Sequence, residues 1–239
     1  MSSMMLRAFM MVVILALSSF PSDGKTYLVS VGIADYPGNK HDLRVSAEDA
    51  VTINKVFLAT KHATSKVLLN HEVTKEALLN NMDIMFANAD SDDTIILYFS
   101  GHGVEGSFVC YDGFLSYQRI LDKMKNYRAN KKIIMADACF SGKIRKGNQK
   151  STTYSNQDVM FFLSSRSKEM SKETKFKNSL FTIFLERGLR GGADTNKDRK
   201  ITARELYDFV HDGVVDASGN RQHPVMWGKF DNNMTIIQW

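Results

Sequence analysis

Short continuous runs of apolar residues alternate along the chain with longer segments in which apolar residues recur at helical spacing. The short runs are rich in β-branched and aromatic residues, which is typical of strands buried on both faces of a parallel sheet. Six such strands are predicted, at residues 25–33, 66–70, 94–99, 132–136, 158–163 and 234–239.

The segments between these strands carry the pattern of amphipathic helices. In the clearest case, a helix that begins at Thr74, one face holds Leu78, Met82, Met85, Phe86 and Ala89. Further helices are predicted at residues 44–60, after a capping Ser116, at 178–189 and at 202–213. Residues 106–113 alternate between polar and apolar instead, which predicts a small hairpin.

Alternation of strands and helices predicts an α/β fold. We expect a three-layer αβα sandwich, in which helices cover both faces of a mostly parallel sheet of about six strands. No internal repeat and no linker interrupts the pattern. Residues 25–239 are therefore predicted to form a single domain.

The composition is that of an ordinary globular protein. The chain has 239 residues, of which 44% are hydrophobic and 24% are charged, so it is long enough to bury a sizeable core. Its net charge of +5 suggests an anionic partner, but the lysines are scattered and no basic cluster is interleaved with aromatic residues. We interpret the charge as solvated surface and expect no nucleic-acid partner.

The N-terminus has the pattern of a secretory signal peptide. Arg7 precedes an apolar run, Ala8 to Leu17, which is too short to span a bilayer and is followed by small residues. Residues 1–24 are therefore predicted to be a signal peptide with a short leader. The mature protein is expected to be exported, periplasmic or secreted, with no stable membrane anchor. The alternatives are a buried N-terminal helix or a retained anchor.

Two predicted strands end on residues that suggest catalysis. The strand at 94–99 leads into Ser100-Gly101-His102-Gly103, and the strand at 132–136 leads into Asp137-Ala138-Cys139. Ligands bind at the carboxyl ends of parallel strands, so His102 and Cys139 are expected to meet at one sheet edge. There they can act as a thiolate nucleophile and its proton carrier.

The only other cysteine, Cys110, is interpreted as an ordinary strand residue. An oxidising compartment favours disulfide formation, so the catalytic interpretation requires that Cys139 remain unpaired.

Residues 101–106 also match the dinucleotide-binding pattern G-x-G-x-x-G after a strand. That motif requires a helix directly after it, whereas the residues that follow alternate like a strand. The glycines are better explained by backbone freedom around His102 and by exposure of the Gly103 amide.

The two strand-end segments, at 100–103 and 137–142, resemble the two catalytic signatures of the caspase and metacaspase superfamily. The resemblance extends to residues 43–50, 164–169 and 188–194 and onward to 222–224, and so covers nearly the whole predicted domain. It departs from caspases at the nucleophile, where Asp137 stands two residues before Cys139 and Phe140-Ser141 follow. The spacing from His102 to Cys139 is 37 residues, shorter than the ~50 of caspases. These features are similar to metacaspases and bacterial caspase-like proteins.

The resemblance implies the caspase-haemoglobinase fold and a cysteine endopeptidase that acts on proteins or peptides. It implies that Cys139 attacks the scissile carbonyl and that His102 delivers a proton to the leaving amine. The amides of Gly103 and Cys139 become the expected oxyanion donors. The family needs no invariant carboxylate behind the histidine, and we expect that no cofactor is required.

The resemblance to metacaspases also implies an acidic pocket for a substrate Arg or Lys, formed by Asp49, Ser100 and Asp137. Each residue has a structural alternative. Asp49 can close a capping box with Ser46, and Ser100 can serve a turn. Asp137 is harder to explain structurally, because a carboxylate at the end of a buried strand needs a partner that a basic substrate would provide.

Residues 194–205 match a calcium-binding EF-hand loop at several positions, with Asp194, Asn196, Asp198 and Glu205 as the candidate metal ligands. The match is imperfect because Arg199 replaces the glycine that makes the sharp turn. Thr202 and Glu205 also form a capping box, and a capped helix start is the more economical interpretation. Calcium stays the candidate ligand of this loop under the EF-hand interpretation.

Two rival functions remain open. The chain can be a catalytically silent caspase-like module that binds peptide or calcium, or a nucleotide-binding enzyme with a helix after Gly106. The presence of both His102 and Cys139 favours the peptidase. The oligomeric state is left open.

Overall fold

The structure, a computed structural model, describes residues 24–138, 158–165 and 177–239. Its strands and α-helices are β1 (Thr26–Gly32), α1 (Ser46–Leu58), β2 (Ala63–Leu69), α2 (Lys75–Phe86), β3 (Thr94–Ser100), β4 (Gly103–Val104), β5 (Ser107–Cys110), β6 (Gly113–Ser116), α3 (Tyr117–Asn126), β7 (Lys131–Asp137), β8 (Met160–Leu163), α4 (Leu180–Arg187), β9 (Lys200–Thr202), α5 (Ala203–Ala217), β10 (Val225–Trp227) and β11 (Thr235–Gln238). Short 3-10 turns lie at Asn39–His41 and Asn70–Glu72, and a π-helical turn lies at Gly188–Gly192.

The central sheet has six strands in the order β10-β8-β7-β3-β1-β2. All neighbouring strands are parallel except β10, which is antiparallel to β8. Every residue of the inner strand β3 is buried, which explains its continuous apolar sequence. The predicted mostly parallel sheet is confirmed.

Two hydrophobic cores lie on opposite faces of this sheet, because successive side chains of each strand point in opposite directions. In β3, Leu97 and Phe99 pack on the face that is covered by α2, α3 and the β4–β6 hairpin. Ile96 and Tyr98 pack on the other face, which is covered by α1, α4 and α5. The layers are therefore helix, sheet and helix, as predicted for a three-layer sandwich. We call the two sides the α2/α3 face and the α1/α4/α5 face.

The strand predicted at 234–239 is present as β11, but its predicted place in the central sheet was wrong. Residues 234–239 do not close the central sheet, because β11 pairs with β9 in a separate two-stranded sheet. Ile236 and Ile237 of β11 are buried in the core of the α1/α4/α5 face, which accounts for their apolar character. The sixth position belongs to β10, whose three residues are too few to show a period.

Strands β4, β5 and β6 form the antiparallel sheet that the alternation at 106–113 predicted. A strand, not a helix, follows Gly106. The helix N-terminus that a bound pyrophosphate requires is therefore missing from this position, and the nucleotide-binding alternative is wrong.

Within the described parts of the chain, no helix combines the length and the apolar character that crossing a membrane requires. The predicted signal peptide at residues 1–24 lies almost entirely outside them.

Candidate active site

The ends of β3 and β7 form the centre of the candidate site. Ser100 and Asp137 are direct partners in the parallel register, and the Gly101 amide donates a hydrogen bond to the Asp137 carbonyl at 3.2 Å. His102 follows Ser100 by two residues. The predicted nucleophile, Cys139, follows Asp137 by two residues and lies outside the described residues, directly after the buried Ala138.

His102 is held by two uncharged partners that sequence analysis did not identify. Its backbone N–H donates to the Tyr36 hydroxyl at 2.8 Å, and the two rings lie 4.8 Å apart. Its Nε2 lies 2.7 Å from the His41 carbonyl oxygen. A carbonyl only accepts hydrogen bonds, so Nε2 carries the hydrogen and Nδ1 is the nitrogen that can accept a proton.

Tyr36 approaches the histidine through the space that Gly101 leaves. A Cβ at Gly101 would lie 2.7 Å from the Tyr36 hydroxyl oxygen, which is closer than any real contact. The same hydroxyl donates to the Val109 carbonyl at 3.2 Å. Burial raises the pKa of Tyr36 above its ordinary value, so the phenol keeps its proton and can serve both bonds.

The Gly103 amide points away from the neighbouring strand of the hairpin. Gly103 pairs with Phe108 across the hairpin, and the hydrogen bond beside this pair runs from the Val109 N–H to the His102 carbonyl at 2.9 Å. Gly103 and Phe108 thus form a non-hydrogen-bonded pair, in which the N–H groups point away from the partner strand.

The three residues predicted to bind a basic side chain lie together on the α1/α4/α5 face. The Ser100 hydroxyl donates to an Asp49 carboxylate oxygen at 3.0 Å. Asp49, Ser100 and Asp137 are buried, with exposed fractions of 0%, 1% and 5%. Burial, and then the negative charge of Asp137, raise the pKa of Asp49, while hydrogen bonds from Asn178 and Ser179 oppose the shift. We call this cluster the acidic pocket.

Asp49 is also bound by the segment that leads into α4, another contact that sequence analysis missed. The Asn178 side-chain amide and the Ser179 N–H each donate to the second Asp49 oxygen at 2.9 Å. Ser179 caps α4, because its hydroxyl accepts from the Thr182 N–H. The sequence contains this cap signal, but nothing in it shows that the cap faces Asp49. The capping box suggested for Asp49 and Ser46 is wrong, since Val45 is the N-cap of α1 and no side chain caps it.

The position of Asp49 depends on close packing of α1 on β1. A Cβ at Gly32 would lie 2.3 Å from the Ser46 carbonyl oxygen, so only glycine allows this approach. The Ser30 hydroxyl donates to the Ala50 carbonyl at 2.8 Å. Together these contacts hold the first turn of α1 at the sheet edge where β3 ends.

The candidate metal ligands lie in a separate loop. Lys200 and Thr235 line a pocket with Thr26, Thr94 and Lys131, the first residues of β1, β3 and β7. The loop that ends on β9 is therefore at the amino end of the sheet, opposite His102.

The carboxylates of this loop bind its own backbone. Asp194 accepts hydrogen bonds from the Asp198 and Arg199 N–H groups, and Asn196 accepts from the Asp198 N–H. Arg199 adopts a positive φ of 65°, so the turn forms without glycine. Glu205 accepts from the Thr202 N–H at 3.0 Å and hydroxyl at 2.8 Å, which confirms the predicted capping box. Over the described ranges, no group of three or more His, Cys, Asp or Glu side chains is placed to hold a metal ion.

Cys110 has the properties of an inert thiol. It is a free, buried cysteine in β5. Burial raises the pKa of its thiol to about 12, so the reactive thiolate is not populated at neutral pH.

Comparison with known proteins identifies the family. The caspase-domain family model matches residues 26–234. Among solved structures, caspase-1 from Spodoptera frugiperda superposes with a TM-score of 0.66 at 17% identity, covering 88% of each chain. A protein from Geobacter sulfurreducens gives a TM-score of 0.66 at 14% identity, covering 87% of this chain and 94% of its own. A comparison with curated protein sequences finds no match. The two structures are alike in fold, and the match over residues 26–234 shows that the chain belongs to the caspase domain family.

Proposed function

We propose that this protein is a cysteine endopeptidase that uses Cys139 and His102 to cleave peptide bonds after Arg or Lys. The observation that carries the proposal is the pairing of β3 with β7, which brings the segment that leads into His102 to the same sheet edge as the buried Asp49 and Asp137. Family membership supports the general activity, because the caspase domain family is a family of cysteine peptidases.

In the proposed reaction, the Cys139 thiolate attacks the scissile carbonyl and forms an acyl-enzyme. His102 keeps its Nε2–H on the His41 carbonyl, and its Nδ1 carries the proton to the leaving amine. The Gly103 N–H stabilises the oxyanion, an interaction commonly worth about 3 to 4 kcal/mol per donor. Water then releases the acyl group. These steps require no cofactor.

The acidic pocket supports the choice of a basic residue before the scissile bond. Two carboxyl groups in one buried site repel each other when both are ionised, and a guanidinium or ammonium group relieves that repulsion. An arginine can also make forked hydrogen bonds to carboxylate oxygens. A substrate Asp would meet like charge there. We therefore expect discrimination of at least ~1000-fold, or about 4 kcal/mol, between Arg and Asp.

Fluorogenic peptides that differ only in the residue before the scissile bond test this proposal. We expect cleavage after Arg and Lys, and loss of that activity in Cys139→Ala and in His102→Ala. Cys110→Ala is the matched control and should retain activity, because burial raises the pKa of that thiol and leaves it unreactive at neutral pH. A thiol-reactive probe with a basic recognition residue should label Cys139, as read by mass spectrometry.

Faster cleavage after Asp than after Arg or Lys would overturn the acidic-pocket assignment. Substantial activity in Cys139→Ala would remove the nucleophile assignment. A folded wild type that neither cleaves nor reacts with the probe would favour the silent binding module.

A further inference from the structure

An apolar groove lies against His102 on the α2/α3 face. Its volume is about 440 Å³, within the range of small-molecule binding pockets, about 300–1,000 Å³. Its lining includes His102 and His41 and the apolar side chains of Tyr36, Pro37, Val109 and Phe114. Among the described residues that line it, none is a carboxylate, a lysine or an arginine.

The hairpin builds the outer wall of this groove. Phe108 pairs with Leu115, and both side chains are buried in the core. Val109 pairs with Phe114, and strand alternation turns this pair outward. Phe114 is 65% exposed and lines the groove together with His102.

The groove and the acidic pocket lie on opposite faces of the central sheet. Asp49 belongs to α1, on the α1/α4/α5 face, whereas Phe108 and Tyr36 belong to the core of the α2/α3 face. His102 lies at the sheet edge between them. Neighbouring side chains of an extended peptide point in opposite directions, so a peptide that fills the acidic pocket sends its next side chain toward the groove.

We propose that this groove binds the side chain of the residue that follows the scissile bond and selects a large apolar residue there. The inference rests on the proposed peptidase function. It also agrees with the direction of proton transfer, because His102 lines the groove and must reach the amine nitrogen of that same residue. The described part of the lining holds no carboxylate, lysine or arginine to pair with a charged side chain, which would lose its water without compensation.

Internally quenched peptides with a fixed Arg before the scissile bond test the inference. The residue after the bond is varied among Gly, Leu, Phe, Asp and Lys, and kcat/KM is measured for each. We expect Leu and Phe to exceed Gly, Asp and Lys by about tenfold or more, the discrimination that apolar pockets commonly give. In Phe114→Ser the Leu-to-Gly ratio should fall to less than about threefold. Ile84→Ser is the matched control, because Ile84 is 70% exposed on α2 and does not line the groove, and it should keep the wild-type ratio.

A variant that introduces a negative charge provides a gain of function that misfolding cannot imitate. Phe114→Glu should raise kcat/KM for the Lys peptide relative to the Leu peptide. Equal wild-type rates for all five peptides, or a ratio unchanged in Phe114→Ser, would overturn the groove assignment while leaving the peptidase function intact. If the wild type cleaves none of the peptides, the proposed function fails and the groove assignment fails with it.

Discussion

His102 is positioned by a tyrosine hydroxyl and a main-chain carbonyl, neither of which carries charge. A raised pKa keeps the Tyr36 phenol protonated through the neutral range. The groups that orient the histidine therefore do not titrate near neutral pH. The orientation of the His102 ring is therefore set by these two hydrogen bonds, and removing the Tyr36 hydroxyl tests this directly.

Tyr36→Phe is expected to lower kcat by about tenfold or more with little change in KM, because small misplacements of catalytic groups are costly. The ring remains, but the His102 N–H loses its acceptor and the Val109 carbonyl loses its donor. Steady-state kinetics on an Arg peptide measures this. Tyr117→Phe is the control, since it removes a 3.4 Å hydrogen bond to the Val104 carbonyl on the same face. Equal losses of kcat in both variants would contradict a specific role for Tyr36.

The raised pKa of Asp49 predicts how stability depends on pH. A carboxyl group whose pKa is higher in the folded state contributes stability below its unfolded pKa and loses it as pH rises through the folded pKa. Asp49→Asn keeps an oxygen to accept from Ser179 and gains an amide to donate to Ser100. We therefore expect the variant to be more stable than wild type at pH 8, by on the order of 1 kcal/mol, and not at pH 4.

Urea denaturation at the two pH values measures that difference. The same variant should lose about 100-fold in kcat/KM for Arg peptides at pH 8, the size expected when one partner of a buried charge pair is removed. A variant less stable than wild type at pH 8 would mean that ionised Asp49 stabilises the fold, contrary to the direction of its pKa shift.

Some of these residues could be predicted from the sequence, and others could not, for a physical reason. His102, Ser100 and Asp137 adjoin strand ends, where the hydrophobic pattern itself locates them. Tyr36 and His41 act through a hydroxyl and a main-chain oxygen in a segment without periodicity. Asn178 reaches Asp49 across 129 residues of chain, a distance over which local patterns carry no information.

At the scale of helices and strands, an element was easier to predict from the sequence when its apolar pattern was longer. The long pattern of α2 predicted a helix, and the buried run of β3 predicted an inner strand. The run at 234–239 also predicted a strand, but apolar composition does not determine which other strand it pairs with. β11 therefore satisfied the pattern while pairing with β9. The start of α5, by contrast, was set by the capping box, which is a local interaction.

Glu205→Ala is expected to destabilise the protein by about 1 kcal/mol, because it removes the acceptor for the Thr202 N–H at the start of α5. Burial acts to raise the pKa of Glu205, but hydrogen bonds from Thr202 and Thr195 outweigh it and lower the pKa. This contribution is therefore present above the unfolded pKa and is lost as pH falls through the folded pKa. Urea denaturation of wild type and of Glu205→Ala, each with calcium and with a chelator, measures the difference in the free energy of unfolding.

We expect the loss of stability in Glu205→Ala to be the same with and without calcium. A calcium-dependent rise in the stability of wild type that is absent in Glu205→Ala would instead support a metal site formed by Asp194, Asn196, Asp198 and Glu205. Asp194→Asn would then share the insensitivity to calcium.

At the scale of the whole molecule, the edge that leads into His102 lies at one end of the sheet and β9 with β11 lies at the other. The family match over residues 26–234 falls within the domain predicted from the sequence. Residues 1–24 are thus available for the export signal that we propose.

Expression of the full chain in an export-competent bacterium is expected to give an extracytoplasmic protein whose first residue lies between Ser19 and Lys25, by intact mass. Val13→Arg interrupts the apolar run and should block both export and processing. An intact mass that includes residues 1–24 in the exported wild type would contradict the cleaved signal.

In the proposed peptidase, the placement of the acidic pocket and the apolar groove on opposite faces of the sheet limits which target proteins can be cut. A bound segment must cross the sheet edge fully extended, because in a helix neighbouring side chains do not point in opposite directions. Its backbone must also be released from any fold of its own. Under the proposed cleavage after Arg or Lys, such residues inside stable helices or sheets are expected to be protected, whatever residue follows them. A native target should be nicked only at its loops and linkers, whereas the same protein after denaturation should be degraded at many sites.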